Sequence, residues 1–521
     1  MICVSEEEKK EILRVIKTFA PDYDVLVFGS RYKWDSKDHS DIDLVFAGDS
    51  KMPPIQIFKL REAYDATNLP YRVDILDYNA ISESFRKIID AGNEVIYKGR
   101  GKAKSNWTKV KLKDICAINQ NTYSLSEKWD FVNYLETGNI TDNRIDTIWK
   151  IVLDEDILPG RARRKVAVND ILYSMVRPNQ RHYGIIKEVL PNMLVSTGFA
   201  VITADKTLAD SDFLYYYLTQ DDIVNILHAI GEQSAPAYPS IMPYDIESIE
   251  LFLPPLSEQI EIGQTLRTLD DKIANNTAIN HHLEQMAQAI FKSWFVDFEP
   301  FADGEFVESE LGEIPVGWQI VTLDEVCTKI TDGSHFSPMK SDDGLYPMFS
   351  VKDMEQHGFN YQSCKMISAD DFEVMITNDC VPRIDDILVA KDGSYLKHIF
   401  IVNEQRKEAI LSSIAIFRPN SIRIFPEILL CFLKYPSVQQ TIKDNFVSGS
   451  ALPRIVLKDF KKLKLILPPI TEQGKIAGIL SKFRYLIALH QEENNDLTVA
   501  RDILLPRMMS GELSVANVDC T

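Results

Sequence analysis

The chain repeats part of itself, and this duplication constrains its fold more than any other feature of the sequence. The segment Leu253–Gln259 (LPPLSEQ) recurs as Leu467–Gln473 (LPPITEQ), and Trp107–Cys116 recurs as Trp318–Cys327 in the same order. The repeated unit of roughly 200 residues is too long to be the unit of a solenoid. The sequence therefore predicts two copies of one domain, each followed by an element of its own.

That following element is predicted to be a long amphipathic helix, over residues 256–298 and again over 470–513. A heptad seam runs through positions 266, 269, 273, 276, 280, 283, 287, 290 and 294, and a second through 476, 479, 483, 486, 490, 493, 497, 500 and 504. Each seam is apolar at its ends and polar in the middle, where Asn276, Asn280 and His490 lie. Because such a stripe must be buried, we expect the helices to pair as a coiled coil, with the polar residues setting register. Packing of each helix on its own domain is the alternative.

The stretches before the helices, residues 105–255 and 318–469, are rich in β-branched and aromatic residues and are broken often by Gly, Asn and Pro. Short helical patterns lie among the predicted strands, so each stretch is predicted to be an α+β domain. Residues 299–317 are polar and contain Gly and Pro, which is typical of a linker. The fold class is therefore a multidomain α+β protein.

Residues 1–100 fall outside the duplication and carry a separate pattern. A predicted strand ends at Gly29-Ser30, and a second one carries Asp41 and Asp43, whose side chains share one face because they are two residues apart. A third strand would add Asp74. Three carboxylates on adjacent strands suit two Mg²⁺ ions that assist phosphoryl or nucleotidyl transfer. The alternatives are a solvated acidic strand edge and a degenerate domain kept only for binding.

Residues 105–513 resemble the specificity subunit of type I restriction–modification systems. The resemblance rests on the two LPPxxEQ segments and on four further motifs: Ser293–Pro300, Gly312–Trp318, Ile330–Pro338 and Arg507–Leu513. It implies two target-recognition domains held apart by an antiparallel coiled coil, each reading one half of a bipartite site in double-stranded DNA. It also implies partner subunits. Two modification subunits would bind S-adenosylmethionine and methylate adenine, and restriction subunits would use ATP to translocate DNA.

On this resemblance, helix length sets a ceiling on the separation of the half-sites: a helix of roughly 55–60 Å spans about 16–18 base pairs. Recognition also needs basic side chains at phosphates and base edges. The alternative for each such residue is a solvated surface position. The candidates are Arg161, Arg163, Arg164, Lys165, Arg177 and Arg181 in the first domain, and Lys391, Lys397, Arg454, Lys458, Lys461, Lys462 and Lys464 in the second.

The pattern of residues 1–100 resembles the minimal nucleotidyltransferases of the polymerase β superfamily. The resemblance implies that Asp41, Asp43 and Asp74 are catalytic and bind Mg²⁺, and that Gly29 and Ser30 bind a nucleoside triphosphate. Family members transfer a nucleoside monophosphate to an acceptor, often a hydroxyl of a partner protein. Neither the nucleotide nor the acceptor follows from the sequence.

Net charge and cysteine usage restrict the class of protein and its cellular location. A formal charge of −19 excludes a chain that coats nucleic acid indiscriminately, although much of the excess acid falls on the first long helix and the linker. Seven scattered cysteines, no secretory signal and no membrane-spanning run predict a cytoplasmic protein. We therefore expect a type I specificity subunit with an accessory nucleotidyltransferase domain. The alternative is a Mg²⁺-dependent nucleotidyltransferase, regulatory or of a toxin–antitoxin pair, that uses the duplicated region as a targeting scaffold.

Overall fold

The computed structural model describes residues 4–21, 23–29, 31–32, 40–48, 51–99, 106–124, 126–234, 238–341, 344–361, 364–448 and 454–513. The chain divides into two compact units, residues 1–269 with 499–521, and residues 270–498. In the described part of the chain, no helix is long and apolar enough to span a membrane.

The N-terminal domain is a small sheet with helices on it. Its elements are α1 (Glu6–Phe19), β1 (Asp24–Phe28), β2 (Ile42–Ala47), α2 (Pro54–Asp65), β3 (Val73–Asp77), α3 (Glu83–Asp90) and β4 (Glu94–Tyr97). The strand order is β3-β2-β1-β4, in which β2 and β3 are parallel. The strands are apolar at alternating or consecutive positions, and Leu44 and Phe46 are fully buried against Ile12 and Ile16 of α1. The predicted strands are confirmed, except that Asp41 lies just before β2.

The first of the two repeated domains is an α+β domain, as predicted, and we call it the first recognition domain after the family that it resembles. Its elements are β5 (Thr108–Lys111), β6 (Cys116–Ile118), β7 (Phe131–Leu135), β8 (Ile140–Thr141), β9 (Arg144–Ile145), β10 (Trp149–Val152), β11 (Ala162–Lys165), β12 (Ile171–Ser174), β13 (Tyr183–Ile185), β14 (Met193–Ser196), β15 (Phe199–Ala204), α4 (Ser211–Leu218), α5 (Asp221–Ser234), α6 (Pro243–Glu247) and β16 (Glu250–Leu253). Two four-stranded sheets have the orders β13-β12-β15-β6 and β10-β7-β14-β11, and the pairs β16-β5 and β8-β9 form two-stranded sheets. Residues 213–230 have one of the short helical patterns of the sequence, and they form parts of two helices, α4 and α5, rather than one helix.

A long helix, α7 (Leu256–Phe295), follows the first recognition domain. It begins directly after Pro254-Pro255, since a residue that precedes proline is disfavoured in helical conformation. The segment beyond it, predicted as a linker, is ordered as the hairpin β17 (Phe306–Ser309) and β18 (Gly312–Pro315). The polar composition of the segment gave no sign of these two strands, because most side chains of the hairpin are exposed.

The second recognition domain repeats the first. Its elements are β19 (Gln319–Thr322), α8 (Leu323–Val326), β20 (Cys327–Asp332), β21 (Tyr346–Phe349), β22 (Lys365–Ile367), α9 (Ala369–Thr377), β23 (Ile387–Ala390), β24 (Ile399–Ile401), β25 (Ala409–Ile410), β26 (Ile414–Pro419), α10 (Pro426–Lys434), α11 (Pro436–Asn445), β27 (Val447–Ser448), β28 (Arg454–Ile455), α12 (Leu457–Phe460) and β29 (Lys464–Leu467). The order β24-β23-β26-β20 reproduces β13-β12-β15-β6, and β19 pairs with β29 as β5 pairs with β16. The duplication is therefore structural as well as sequential.

The chain ends in a second long helix, α13 (Ile470–Met509). Its two ends take part in different cores. Ile476 and Leu480 pack with the second recognition domain, whereas Met508 and Met509 are buried in the core of the first, together with Leu266 of α7. In α7 the predicted seam positions Leu266, Asn276 and Asn280 are buried, whereas near the end of the helix Phe291 and Phe295 are buried more deeply than the predicted positions 290 and 294. In α13 the seam is displaced by one residue at every second position, because Leu480 is buried and Ile479 is 44% exposed.

Candidate functional site

Three carboxylates of the N-terminal domain converge at one edge of its sheet. Because β2 and β3 are parallel, Asp43 lies directly beside Asp74. Asp41 immediately precedes β2 and is exposed, whereas Asp43 is half-buried. Burial raises the pKa of the Asp43 carboxyl, and the charges of Asp74 and Asp41 raise it further. Such a shift is expected where like charges share a partly desolvated region.

Gly29 closes this site from the end of β1. Its φ of +79° is in the left-handed region that favours glycine. A Cβ at this position would collide with the Asp43 carboxylate. The main chain therefore approaches the carboxylate as closely as the two groups allow. Ser30, the other residue predicted to bind nucleotide, lies outside the described residues.

Arg31 is a buried residue beside this site that the sequence reasoning missed. Only 5% of it is exposed, and its guanidinium donates two hydrogen bonds to the carbonyl of Ser40, at 2.9 and 2.7 Å. The same group stacks on the ring of Tyr71 at 3.6 Å from its centroid. Ser40 directly precedes Asp41, and Tyr71 shortly precedes β3. Arg31 thus joins the segments that carry all three carboxylates, and its position directly after Gly29-Ser30 was the available signal.

Burial and the charges of Asp74 and Asp41 raise the pKa of Asp43, and a divalent cation bound beside it would offset those charges. Among the described residues, no three His, Cys, Asp or Glu side chains lie close enough together to hold a metal ion by themselves. The carboxylates would therefore share the cation with other oxygen ligands. Magnesium sites that are completed by substrate phosphates have this character.

The candidate DNA-binding residues of the first recognition domain differ in whether their side chains already pair with other residues of the chain. Arg161 and Arg163 lie at and on the edge strand β11 and have no ion pair with any described residue. Lys165 of the same strand pairs with Glu127 at 2.5 Å. Burial lowers the pKa of Arg164, whose Nε is enclosed and lacks a hydrogen-bond partner among the described residues.

Two further arginines lie in the loop after β12, both with left-handed main chains. Arg177 stacks on the half-exposed ring of Tyr238, 5.1 Å from its centroid. Arg181 instead pairs with Asp221 at 2.5 Å and donates to the hydroxyl of Tyr183 at 3.3 Å. Arg181 thus joins the loop to α5, whereas Arg177 is the more available for a ligand.

The candidate DNA-binding residues of the second recognition domain differ in the same way. Lys391 is 8% exposed and pairs with Asp332 at 2.6 Å, so its role is internal. Lys461, Lys462 and Lys464 lie in surface ion pairs with Asp324, Asp459 and Glu310, respectively. Within the described ranges, the exposed cations of this set without an ion pair are Lys397, Arg454 and Lys458.

The middle of the two long helices forms a polar layer. Asn276 of α7 donates to Glu493 at 2.6 Å and to Asn494 at 2.9 Å, both on α13. One turn along, Asn280 shares a hydrogen bond of 2.7 Å with His490. Position numbers rise on one helix as they fall on the other, so these segments run antiparallel. The predicted register residues therefore meet as expected.

The two sides of this helix pair differ. On one side, Glu284 of α7 pairs with Lys434 at 2.5 Å, and Arg484 of α13 pairs with Glu427 at 3.1 Å, which holds the second recognition domain there. On the other side, Lys272 pairs with Glu493 at 3.2 Å. Four exposed apolar residues lie on that same side, one and two heptads away from Lys272 and Glu493. We call them the outer strip: Ile279 (37% exposed), Met286 (51%), Ile479 (44%) and Leu486 (38%). In a solvated two-helix pair, these positions are usually charged.

Comparison with known proteins identifies the families that this chain matches. The sequence matches the family described as "Type I restriction modification DNA specificity domain" over residues 104–285 and 315–499. The chain belongs to this family. Residues 12–100 match a second family, "Polymerase beta, Nucleotidyltransferase". The protein is thus a type I specificity subunit that carries an N-terminal nucleotidyltransferase domain. Because the specificity family matches both copies, this result favours that function over the alternative of a mere targeting scaffold.

Both parts of the chain are similar to individual known proteins. The HindI specificity subunit of Haemophilus influenzae is 27% identical over 496 residues, which cover 78% of this chain and 100% of that subunit. The probable protein adenylyltransferase MntA of the same organism is 37% identical over 86 residues, 16% of this chain and 75% of that protein. A solved type I S subunit from M. genitalium covers 78% of this chain and 98% of its own, with 16% identity and a TM-score of 0.45.

Proposed function

We propose that this subunit reads a split DNA site, one half with each recognition domain, and directs adenine methylation by partner subunits. The observation that carries the proposal is the repeated domain: β24-β23-β26-β20 reproduces β13-β12-β15-β6 within one chain. Two scaffolds of the same build present different cations, Arg161 and Arg163 in the first and Lys397 and Arg454 in the second. The half-sites are therefore expected to differ in sequence.

The cations without an ion pair are the residues proposed to contact DNA. Arg161→Ala/Arg163→Ala should weaken specific binding by about 10-fold or more, since one good arginine contact is worth roughly 1–3 kcal/mol. Lys109→Ala is the matched control, because Lys109 already pairs with Glu250 at 2.7 Å. Equal losses in both variants, measured by titration of the assembled complex with its DNA site, would contradict this assignment.

Modification subunits are proposed to dock on the outer strip, two per complex, and to supply S-adenosylmethionine, whereas restriction subunits supply ATP hydrolysis. The support is the apolar character of Ile279, Met286, Ile479 and Leu486 where charged residues are the rule. Ile279→Glu/Leu486→Glu should abolish copurification with the modification subunit. Tyr485→Glu, on the same helix and 67% exposed, is the control and should copurify normally. The mass of the wild-type complex tests the number of modification subunits.

The N-terminal domain is proposed to transfer a nucleoside monophosphate, AMP in the first instance, to a protein hydroxyl. The crowding of Asp43 by Asp74 and Asp41 supports this activity, as does the similarity to MntA. Mg²⁺ bound by the three carboxylates would stabilise charge on the triphosphate. The lack of a side chain at Gly29 lets the Asp43 carboxylate lie against the main chain, beside the place proposed for the triphosphate. The acceptor oxygen would form a bond to the α-phosphorus, and pyrophosphate would leave.

Labelled ATP and CTP test this second activity directly. Transfer of label to protein should be lost by about 100-fold or more in Asp41→Ala/Asp43→Ala, because metal-assisted charge stabilisation contributes several kcal/mol. Asp65→Ala, an exposed carboxylate on α2, is the control. If label transfer survives the double substitution, the carboxylates do not carry the reaction.

A further inference from the structure

The last residue of each LPPxxEQ segment is a glutamine buried in the same way in both copies. Gln259 and Gln473 are both 0% exposed. A buried amide is tolerated where all its hydrogen-bonding groups find partners. Neither residue contacts a candidate for DNA binding, so the proposed function leaves both unexplained.

In the first copy, this amide joins the recognition domain to the start of α7. The Oε1 of Gln259 accepts a hydrogen bond from the main-chain N–H of Asp210 at 2.9 Å. Its Nε2 donates to the carbonyl of Leu208 at 3.0 Å and to that of Pro254 at 2.8 Å. Leu208 and Asp210 lead into α4, and Pro254 leads into α7.

In the second copy, the same three bonds recur at equivalent places. The Oε1 of Gln473 accepts from the main-chain N–H of Phe425 at 3.1 Å, and its Nε2 donates to the carbonyls of Arg423, at 2.8 Å, and Pro468, at 3.0 Å. Every partner is a main-chain group. A glutamine can therefore form the same hydrogen bonds in two domains whose other side chains differ.

A second contact farther along each long helix stabilises the same junction. Arg267 of α7 lies 3.9 Å from Asp212 in the first turn of α4, and Arg484 of α13 lies 3.1 Å from Glu427 in the first turn of α10. Between Gln259 and Arg267, a Cβ at Gly263 would lie 2.7 Å from Oδ1 of Asp210. Each recognition domain is thus held to its helix at two points, which opposes pivoting about either one.

We propose that Gln259 and Gln473 are positioning residues that fix the angle between each recognition domain and its long helix, and thereby the spacer between the half-sites. The inference rests on the proposed reading of a split site. Loss of the amide frees one attachment point, so the domain can tilt while its DNA-reading surface stays intact. The consequence is relaxed selection of spacer length with unchanged half-site sequences.

The test uses the full complex in cells, and long-read sequencing of modified adenines reports the half-sites and the spacer together. The variants are Gln259→Leu, Gln259→Asn and the control Gln264→Leu, which changes an exposed glutamine on the same helix. We expect Gln259→Leu to raise modification at sites with a spacer one base pair longer or shorter by about 10-fold, with Gln264→Leu like the wild type.

The outcomes separate the inference from the proposed function. If the wild-type complex marks no split site, the proposed function fails. If it marks one and Gln259→Leu keeps the same spacer profile, the inference is overturned, even if the thermal unfolding temperature falls, because the amide then only stabilises the fold. If Gln259→Leu does not fold, Gln259→Asn, which keeps the amide on a side chain one methylene shorter, decides by the same criteria.

Discussion

The raised pKa of Asp43 shows that this residue is unfavourable for the stability of the fold. Its pKa is raised first by burial and then by Asp74 and Asp41, so its charge is less stable in the folded chain than in water. A fold selected for stability alone would place a neutral side chain there. The carboxylate is retained at a cost, which is typical of residues that bind a cation or act in catalysis.

Replacing this carboxylate by an amide is expected to stabilise the metal-free domain. A folded-state pKa above the unfolded one means that the penalty applies above the folded pKa and disappears as pH falls below the unfolded value, near 3.9. Asp43→Asn should therefore raise the unfolding temperature at neutral pH in a chelator, and the difference should vanish at about pH 3. Thermal unfolding of the full chain measures it. Glu62→Gln, an exposed carboxylate on α2, should produce no comparable rise.

The residue scale also marks the limit of prediction from sequence. The closeness of Asp41 and Asp43 was predictable because residues two apart in an extended chain share a face, whereas the place of Asp74 beside Asp43 depends on the parallel pairing of β2 and β3. The DNA candidates were not separable, because the sequence does not reveal that Lys391 is buried against Asp332. Ion pairs between residues far apart in the chain depend on tertiary packing.

At the scale of elements, the polar layer of the long helices is expected to behave as a coupled set. Asn276→Leu alone leaves Asn494 and Glu493 without their donor and should cost about 1–3 kcal/mol. Asn276→Leu/Asn494→Leu should recover part of that loss, because both amides are then replaced by apolar groups. Denaturant unfolding of the single and double variants forms the cycle. Additive losses would show that the two amides act independently.

A second element-scale prediction concerns the loop after β21, where His357 packs against Glu284 and Lys434. Burial lowers the pKa of His357 to about 4, and the nearby Lys434 lowers it too, whereas Glu284 opposes the shift. An unfolded histidine takes up its proton near pH 6.5, so stability should fall between about pH 6.5 and 4. The slope is at most about 1.4 kcal/mol per pH unit for one proton. His357→Gln should flatten the pH dependence of unfolding; an unchanged slope would assign the loss to other groups.

The helix registers show why periodicity predicts one element better than its equivalent. In α7, the buried positions Leu266, Asn276 and Asn280 follow the predicted heptads. In α13, apolar residues at 479 and 486 satisfied the pattern equally well, and they instead form part of the outer strip. A helix that is apolar on two sides gives two acceptable seams. Only the packing partner decides between them.

For the whole molecule, the two functions are expected to be separable. Asp41→Ala/Asp43→Ala changes carboxylates that have no described contact with either recognition domain, so the pattern of modified DNA should match that of the wild type. Sequencing of modified bases from cells with each complex measures the outcome. A changed motif or a fall in modification would show that nucleotide transfer controls the complex.

The multidomain α+β architecture was predictable because duplication can be read without knowing any contact. The hairpin formed by β17 and β18 was not, since a short exposed ribbon has almost no apolar signature. Nor did the sequence indicate that Met508 and Met509 belong to the core of the first recognition domain. Such pairings join distant parts of the chain and leave no local pattern.

This last pairing has a consequence for synthesis on the ribosome. Domains usually fold in the order in which they are translated. Here the core around Phe213 and Leu266 is completed by Met508 and Met509, which are translated after the core residues of the second recognition domain. The domain translated earlier therefore finishes folding later. A nascent chain stalled before Met508 would carry a finished second recognition domain and an open first one.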